Sequence, residues 1–237
     1  MHDALRAARA VARVVGSVGR RHWPQLLVLF LAILVPLWGF AELAEEVREG
    51  EAFDFDDPLL LWAQGLQTPG LDRFFVLVSL FGYAWGVVPL DVAIPLVQLA
   101  LRRIRAFVFF TVSVLGSALL NMGAKAFYGR TRPSLWESIA PETTFSFPSG
   151  HAMGSMTLAA ALVLLAWPTR WRWIALALGV VAVALVGFSR VYLGVHYPSD
   201  VVAGWAAGLV WTVGVHQVLH LFPRWRARPA RPEHAPA

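Results

Sequence analysis

Three short stretches of this sequence place charged and imidazole side chains beside long apolar runs. They are KAFYGRTRP at 125–133, FPSGH at 147–151 and SRVYLGVHYPSD at 189–200. Ionisable side chains at membrane depth are costly unless they pair or line a wet cavity, so their grouping beside apolar segments indicates a functional site. The candidate residues are Lys125, Arg132, His151, Arg190, His196 and Asp200.

The residue types in this group favour a phosphate-like anion as the ligand. Arg132 and Arg190 can each offer a planar fork to phosphate oxygens, and Lys125 supplies a compact point charge. Lys125 is also the only lysine in a chain that has 20 lysines and arginines in total. This exception suggests that an ammonium group is required at that position.

The second stretch predicts a helix whose start can bind an anion. Pro148 and Ser149 stand where an apolar helix should begin, so Ser149 is predicted as its N-cap or as a ligand. The first backbone N–H groups of a helix are free to bind an anion, and Gly150 would let an oxyanion approach them closely. Ser149 and Gly150 therefore join the candidate site.

The third stretch supplies two residues suited to nucleophilic attack. His196 and Asp200 are four residues apart, one helical turn, so the carboxylate can hold one imidazole nitrogen while the other faces a substrate. A second imidazole, that of His151, lies on another predicted helix. Two histidines beside one phosphate allow one to attack phosphorus and the other to protonate the leaving oxygen.

The elements that must position these residues are membrane helices. Of the 237 residues 57% are hydrophobic and 15% charged, and the mean hydropathy is +0.58, which is typical of a membrane protein. A helix needs about 20 apolar residues to cross a bilayer. We predict an all-α protein with six transmembrane helices, at about 24–43, 83–101, 106–127, 149–167, 173–190 and 198–221. The apolar stretch 72–82 is predicted as a helix or turn that leads into the second span.

The loops between these segments alternate in charge. Arginines precede the first span, separate the second from the third and the fourth from the fifth, and follow the sixth, so these loops are predicted to be cytoplasmic. The loop after the first span is rich in Glu and Asp, which suits the opposite side. Both termini are then cytoplasmic, and the three polar stretches lie at the outer face.

The chain is interpreted as a single membrane domain, 1–237, because no linker, low-complexity tract or repeat separates the apolar runs. Its ends are a basic cytoplasmic segment at 1–23 and a basic cytoplasmic tail at 223–237. A cleaved signal peptide is the alternative for the first span, but Pro36 and Trp38 interrupt its apolar run. The net charge of +5 is segregated among loops, which argues against nucleic acid as a partner, and the chain has no cysteine for disulfides or thiolate metal sites.

Two charged residues have no assigned role at this point. Asp91 lies between two prolines in the second span, and its partner is open. Arg130 is close to the candidate site but outside its motifs, where it is considered as an accessory phosphate or headgroup contact. A four-residue spacing that allows close contact between membrane helices, and that is also common by chance in glycine-rich helices, occurs at three glycine pairs: Gly82/Gly86, Gly150/Gly154 and Gly204/Gly208.

The motifs K-x6-RP, PSGH and SR-x5-H-x3-D are all complete and in order in this sequence, at 125–133, 148–151 and 189–200. In this the chain resembles the type 2 phosphatidic acid phosphatase (PAP2) superfamily, which is similar to the vanadium haloperoxidases and the bacterial acid phosphatases. The resemblance covers roughly residues 60–220. It implies a PAP2/haloperoxidase-like helical bundle core and, in the membrane branch of the family, six spans.

The resemblance also implies a role for each candidate residue. His196 resembles the nucleophile that forms a phosphohistidine, Asp200 its orienting partner and His151 the general acid. The phosphate-binding set it implies is Lys125, Arg132, Ser149, Gly150 and Arg190. Neither a metal nor another cofactor is implied, because cationic side chains do the work that a metal ion would otherwise do.

The function expected from these features is hydrolysis of a phosphomonoester or pyrophosphate on a membrane lipid, at the outer face of a bacterial-type plasma membrane. Candidate substrates are phosphatidic acid, phosphatidylglycerol phosphate and undecaprenyl diphosphate. Two alternatives stay open: a lipid phosphotransferase, and a non-catalytic binder or transporter of lipid phosphates. The intact His151, His196 and Asp200 favour chemistry, since a binder needs cations but not an oriented imidazole.

Overall fold

The computed structural model describes Trp23, Leu27 and residues 30–221, with side chains described up to 219. All regular structure in this part of the chain is helical, which confirms the predicted fold class. A π-helical turn at Phe30–Leu34 continues directly into the first α-helix. The α-helices are α1 (Val35–Glu49), α2 (Asp56–Gln64), α3 (Pro69–Phe81), α4 (Val87–Ala100), α5 (Ile104–Tyr128), α6 (Gly150–Ala166), α7 (Arg172–Tyr192) and α8 (Pro198–Leu221). The predicted basic segments at 1–23 and 223–237 lie outside the described residues, apart from Trp23.

Three of the described helices are long and apolar enough to cross a membrane, namely Ile104–Tyr128, Arg172–Tyr192 and Pro198–Leu219. The helices α4 and α6 are apolar but shorter. The predicted second span starts later than the sequence suggested, because the chain turns between Gly82 and Gly86 before α4 begins. The total of six spans stays a prediction.

Helix α6 lies at the centre of the bundle and packs against α5, α7 and α8. It approaches α8 closely at Gly204 and Gly208, one of the three glycine pairs that have the four-residue spacing. A Cβ atom at Gly204 would lie 2.7 Å from the carbonyl oxygen of Ser149, and one at Gly208 would lie 2.7 Å from that of Met153. These glycines therefore bring the first half of α8 beside the start of α6, where the candidate residues of both helices lie.

Lipid-type surroundings explain why many large apolar side chains on the outside of the bundle are exposed, among them Leu119 and Phe127. Because lipid is as apolar as these side chains, helix association in a membrane depends on close packing and on hydrogen bonds between helices. One such bond joins α5 to α6: Ser117 Oγ and Thr157 Oγ1 are 2.8 Å apart. Hydrogen bonds of this kind contribute about 0.6 kcal/mol on average.

Three helix ends place the polar stretches on one side of the bundle. Gly129 ends α5 in the left-handed conformation, with a φ of 58°, and donates its N–H to the carbonyl oxygen of Lys125. Ser149 is the N-cap of α6, as predicted, and its Oγ accepts a hydrogen bond from the Ala152 N–H at 3.5 Å. Helix α8 begins at Pro198, also as predicted.

Asp91 lies in α4 on the face that is partly buried. Its Oδ1 atom is buried and accepts no hydrogen bond from the residues that the structure describes. The partner that the sequence analysis left open is therefore not found among them.

Candidate active site

The three polar stretches converge on one carboxylate, that of Glu142, in the loop between α5 and α6. Its Oε2 accepts a hydrogen bond from Arg132 Nη2 at 2.7 Å, and its Oε1 accepts one from Arg190 Nη2. His151 Nδ1 lies 3.7 Å from Oε1, and His196 Nε2 lies 4.0 Å from Oε2. Two arginines and both histidines of the predicted site thus surround a single anionic group.

His196 lies in the loop between α7 and α8 and is only 1% exposed. Its Nδ1 is 3.5 Å from Asp200 Oδ2 and 3.3 Å from Ser146 Oγ, whereas its Nε2 is 3.1 Å from Arg132 Nη1. A guanidinium group donates hydrogen bonds and accepts none, so Nε2 has to be the acceptor and Nδ1 carries the ring proton. The lone pair of Nε2 is therefore directed at Arg132, with Oε2 of Glu142 4.0 Å from Nε2.

Burial lowers the pKa of His196 to about 4, although the hydrogen bond and charge of Asp200 act in the opposite direction. The imidazole is therefore neutral near neutral pH, the state in which Nε2 is a nucleophile. Burial alone would raise the pKa of Glu142, but the charges of Arg190 and Arg132, and those of His196 and His151 when these rings are protonated at low pH, lower it to about 2. Glu142 is consequently ionised.

Asp200 is fully buried and is held through both of its oxygens. Its Oδ2 accepts hydrogen bonds from Ser146 Oγ at 2.5 Å and from the backbone N–H of Tyr197 at 2.9 Å. The sequence placed His196 and Asp200 on one helical turn; in the structure α8 begins between them, and the Tyr197 N–H closes the turn instead. The carboxylate still faces His196 Nδ1, so the predicted orientation is found with a different backbone.

The guanidinium group of Arg130 pairs with two buried carboxylates and not with Glu142. Its Nη1 donates to Asp200 Oδ1 at 2.6 Å, and its Nη2 donates to Asp56 Oδ2 at 2.9 Å. Asp56, the first residue of α2, also accepts hydrogen bonds from the N–H and the hydroxyl of Ser199 at 2.9 and 2.6 Å. The Arg130 guanidinium lies 4.1 Å from the centre of the Tyr197 ring. Instead of the accessory contact considered from the sequence, Arg130 supports Asp200.

Arg190 and His151 approach the anionic group from α7 and α6. Arg190 is 1% exposed, and its Nη1 donates to Ser79 Oγ in α3. Its Nε donates to no residue that the structure describes. The His151 ring packs against that of Tyr83, with ring centres 4.8 Å apart. Residues of α3 and of the turn after it thus fix one arginine and one histidine.

Lys125 lies at the edge of the cluster. Its Nζ donates hydrogen bonds to Thr144 Oγ1 at 3.3 Å and to the carbonyl oxygen of Phe145. Arg132 holds the same loop segment, because its Nε donates to the carbonyl oxygen of Thr144 at 2.6 Å. An opening of about 260 Å³ beside these groups is lined by Arg132, Glu142 and Thr144, among others.

Ser149 and Gly150 complete the predicted set at the start of α6. Ser149 is buried, and its backbone N–H donates to the carbonyl oxygen of Asp200 at 3.0 Å. A Cβ atom at Gly150 would lie 3.1 Å from Asn121 Oδ1, so this position is closely packed. The structure therefore brings all eight candidate residues into one cluster. Among the residues it describes, no three His, Asp or Glu side chains are arranged to hold a metal ion.

Three residues of the site, Glu142, Ser146 and Asp56, were not among those predicted from the sequence. None of the three belongs to a motif. Ser146 and Asp56 are fifty or more residues away from the residues they contact, and Glu142 lies ten residues after Arg132. A signal existed for Glu142: three cations in one pocket require a counter-charge, and only Glu137 and Glu142 supply one between Arg132 and His151. Spacing could not choose between the two.

Comparison with known proteins gives the same family as the motifs. The sequence profile of the PAP2 superfamily matches residues 106–224. Undecaprenyl-diphosphatase of Sulfolobus acidocaldarius is 33% identical over 147 residues, which are 60% of this chain and 68% of that protein. Phosphatidylglycerophosphatase B of Bacillus subtilis is 30% identical over 177 residues, 72% of this chain and 86% of the relative.

A solved structure has the same arrangement of helices. The crystal structure of a transmembrane PAP2-type phosphatidylglycerolphosphate phosphatase from Bacillus subtilis superimposes with a TM-score of 0.71 at 25% identity. The match covers 81% of this chain and 98% of that one. The resemblance inferred from the three motifs is confirmed. The chain belongs to the PAP2 superfamily, as a helical membrane phosphatase of the PAP2 type.

Proposed function

We propose that this phosphatase hydrolyses a phosphomonoester or diphosphate of a membrane lipid, with His196 as the nucleophile. The observation that carries the proposal is the direction of the His196 lone pair. Nε2 accepts a hydrogen bond from Arg132 and lies 4.0 Å from Oε2 of Glu142, the carboxylate that Arg190 and His151 also contact. A phosphoryl group at the place of that carboxylate would lie between a nucleophile and a proton donor.

The first half of the reaction transfers the phosphoryl group to the enzyme. The lone pair of His196 Nε2 attacks phosphorus, the bond between phosphorus and the lipid oxygen breaks, and His151 donates a proton to that oxygen. The products are a phosphohistidine and the lipid alcohol, or the lipid monophosphate if a diphosphate is cleaved. Asp200 stabilises the positive charge that develops on the imidazole through Nδ1.

The second half returns the enzyme to its starting state. Water attacks phosphorus while His151, now neutral, takes one of its protons, and the bond between phosphorus and Nε2 breaks. Inorganic phosphate leaves, and Nε2 recovers its lone pair. We assign the oxygens of the phosphoryl group to a binding set of Lys125, Arg132, Arg190, and the start of α6 at Ser149 and Gly150. These groups stabilise the negative charge of the transition state.

The surroundings of the cluster support a lipid substrate. The loop that carries Glu142 exposes apolar side chains, with Leu135 44% exposed, Ile139 56% and Phe145 49%. Apolar side chains beside a phosphate pocket suit a substrate whose chains remain in the bilayer. The names of the two relatives, undecaprenyl-diphosphatase and phosphatidylglycerophosphatase B, also refer to lipid phosphates. They refer to different ones, and we propose both of these and phosphatidic acid as candidate substrates.

We further propose that the site faces the outer side of a bacterial-type plasma membrane, with both termini cytoplasmic. The alternation of arginine-rich and acidic loops supports this orientation. Labelling of single cysteines tests it in a chain that has none of its own. A thiol reagent that cannot cross membranes should label Glu51→Cys in intact cells, and Arg103→Cys only after permeabilisation. The reverse pattern would invert the orientation.

The activity is tested with purified protein and a panel of diacyl and polyprenyl phosphates. We expect phosphate release that persists in EDTA and is inhibited by vanadate, because the cationic side chains of Arg132 and Arg190 already pair with an anion in the pocket. His196→Ala should lose this activity while it keeps the thermal unfolding temperature of the wild type. Turnover by a folded His196→Ala variant would remove the nucleophile from the proposal, and phosphate appearing on an acceptor lipid instead of in solution would indicate a phosphotransferase.

A further inference from the structure

Glu142 occupies the place that the proposed function gives to the phosphoryl group. Its two oxygens contact Arg132, Arg190 and, at longer distance, both imidazoles. These are the groups that would have to bind and attack the substrate. Substrate and Glu142 therefore cannot be in the pocket together.

The carboxylate can leave the pocket without disturbing its buried partners. The side chain of Glu142 is 27% exposed, whereas those of Arg190 and His196 are 2% and 1% exposed. Residues 129–149, the loop that carries Glu142, contain no helix. Glu142 thus lies between the buried side chains and the solvent, and its withdrawal would open the pocket toward the solvent.

Glu142 also fits the pocket less completely than a phosphoryl group would. A carboxylate offers two oxygens and one negative charge, whereas a phosphomonoester near neutral pH carries a charge of about −1.5 to −2 and three terminal oxygens. Two nitrogens, Nη2 and Nε, lie on the same edge of the Arg190 guanidinium. Nη2 donates to Glu142, whereas Nε donates to no residue that the structure describes. A phosphoryl group can accept from both nitrogens.

We propose that Glu142 is an internal competitor, which lowers the affinity of the pocket for every phosphate-containing ligand and so excludes the weakly binding ones. The proposal rests on the proposed function for the location of the phosphate site. Phosphodiesters, the headgroups of bulk phospholipids, carry a single negative charge like the carboxylate. A phosphodiester that displaces Glu142 brings no more negative charge to the arginines than the carboxylate did, whereas a terminal phosphate brings more. Glu142 thereby prevents the abundant phosphodiester lipids of the bilayer from occupying the pocket.

An internal competitor has a quantitative signature. If the free pocket is only a small fraction of the population, the apparent affinity of each ligand is reduced by the same factor, whatever the ligand. Removal of the competitor should then strengthen the binding of all ligands equally. A residue that touched bound ligands directly would change their affinities by different factors.

The experiment compares Glu142→Gln with the wild type and with Glu137→Gln, a control in the same loop whose carboxylate is exposed. Two dissociation constants are measured from ligand-induced shifts in thermal unfolding, for orthovanadate and for short-chain phosphatidylglycerol, a phosphodiester. Glu142→Gln should lower both by the same factor, about tenfold or more, since a charged hydrogen-bond acceptor has been removed. Glu137→Gln should lower neither. Equal constants in Glu142→Gln and the wild type, or unequal factors for the two ligands, would overturn the proposal.

A second measurement uses the unchanged chain, in case Glu142→Gln does not fold. Carbodiimide and a small amine label accessible carboxylates, and mass spectrometry reports the labelled fraction at Glu142 and, as an internal reference, at Glu137. Vanadate should increase the labelling of Glu142 severalfold and leave that of Glu137 unchanged; no increase at Glu142 would contradict displacement. Neither measurement depends on turnover. The role of Glu142 as a competitor can therefore be disproved even if the protein is an active phosphatase, and it can be supported even if the lipid panel yields no substrate.

Discussion

The two sides of the His196 ring are built differently. On the Nδ1 side Asp200, Ser146, Arg130 and Asp56 form a buried network in which each carboxylate is paired within the protein. On the Nε2 side the carboxylate that pairs with Arg132 and Arg190 is that of Glu142, which is partly exposed and lies in a loop. The first side is complete without substrate, whereas the second holds a group that a phosphate can replace.

This difference separates orientation from binding. A buried charge left without its partner costs about 3–5 kcal/mol, so the network on the Nδ1 side holds the ring of His196 in one direction throughout the reaction. The Nε2 side has to exchange ligands in each cycle, and partial exposure makes this exchange possible. Variants of the two sides should therefore change different quantities.

The largest effect is expected from the Nδ1 side. Asp200→Asn keeps the size of the side chain but removes the charge that stabilises the imidazole when it becomes positive. We expect kcat to fall by about a thousandfold while KM changes little. Steady-state kinetics of phosphate release on the best substrate of the panel measures both. An equal loss in kcat and in the affinity for vanadate would argue against an orienting role for Asp200.

The matching change on the Nε2 side is Lys125→Met. It removes the cation at the edge of the cluster but leaves the buried network intact. We expect kcat/KM to fall by about a hundredfold, with weaker binding of vanadate and an almost unchanged unfolding temperature. If the unfolding temperature fell markedly while vanadate bound as before, Lys125 would serve only to hold the loop at Thr144 and Phe145.

Arg130→Gln should show the opposite combination. Because Arg130 contacts Asp200 and Asp56 and not the anionic group, its loss should lower the unfolding temperature and reduce kcat by about tenfold or more, through misplacement of Asp200. The affinity for vanadate should stay within about twofold. A variant of normal stability with weakened vanadate binding would place Arg130 on the phosphate after all.

The smallest of the expected effects is that of pH, because kcat/KM should change little near neutral pH. The pKa of His196 is lowered to about 4, so the ring is neutral above this pH and takes up a proton as the pH falls through it. Protonation occupies the lone pair of Nε2. Once the ionisation of the substrate is corrected for, kcat/KM should show no loss from His196 until the pH approaches about 4. A loss centred on the ordinary histidine value of about 6.5 would mean that the ring is less buried than the structure shows.

Much of this site could be predicted from sequence because its residues stand at helix ends. Gly129, Ser149 and Pro198 mark where α5 ends and where α6 and α8 begin, and the spacing of charged residues around these positions is visible in the chain. The all-helical class could also be predicted, because long apolar segments in a membrane protein form helices. The spacing of Gly204 and Gly208 marks a face of α8 that can pack closely, but it does not name the helix on the other side, which only the structure gives as α6.

The remainder depends on loops and on distant contacts, which have no sequence period. Glu142 lies in a loop without helix or repeat, so nothing in its spacing distinguishes it from Glu137. Asp56 meets Arg130 and Ser199 across more than seventy intervening residues, and only packing of α2 onto the bundle brings them together. The prediction of the second span placed its start too early because hydropathy does not register the turn between Gly82 and Gly86.

The central claim is that His196 Nε2 forms a covalent bond to phosphorus. The most direct test mixes purified protein with substrate that carries radiolabelled phosphate, quenches the reaction in alkali within the first turnover, and maps the labelled residue by mass spectrometry. We predict a label on His196 and on no other residue, with none in His196→Ala. A label on His151 or on any other side chain would contradict the account.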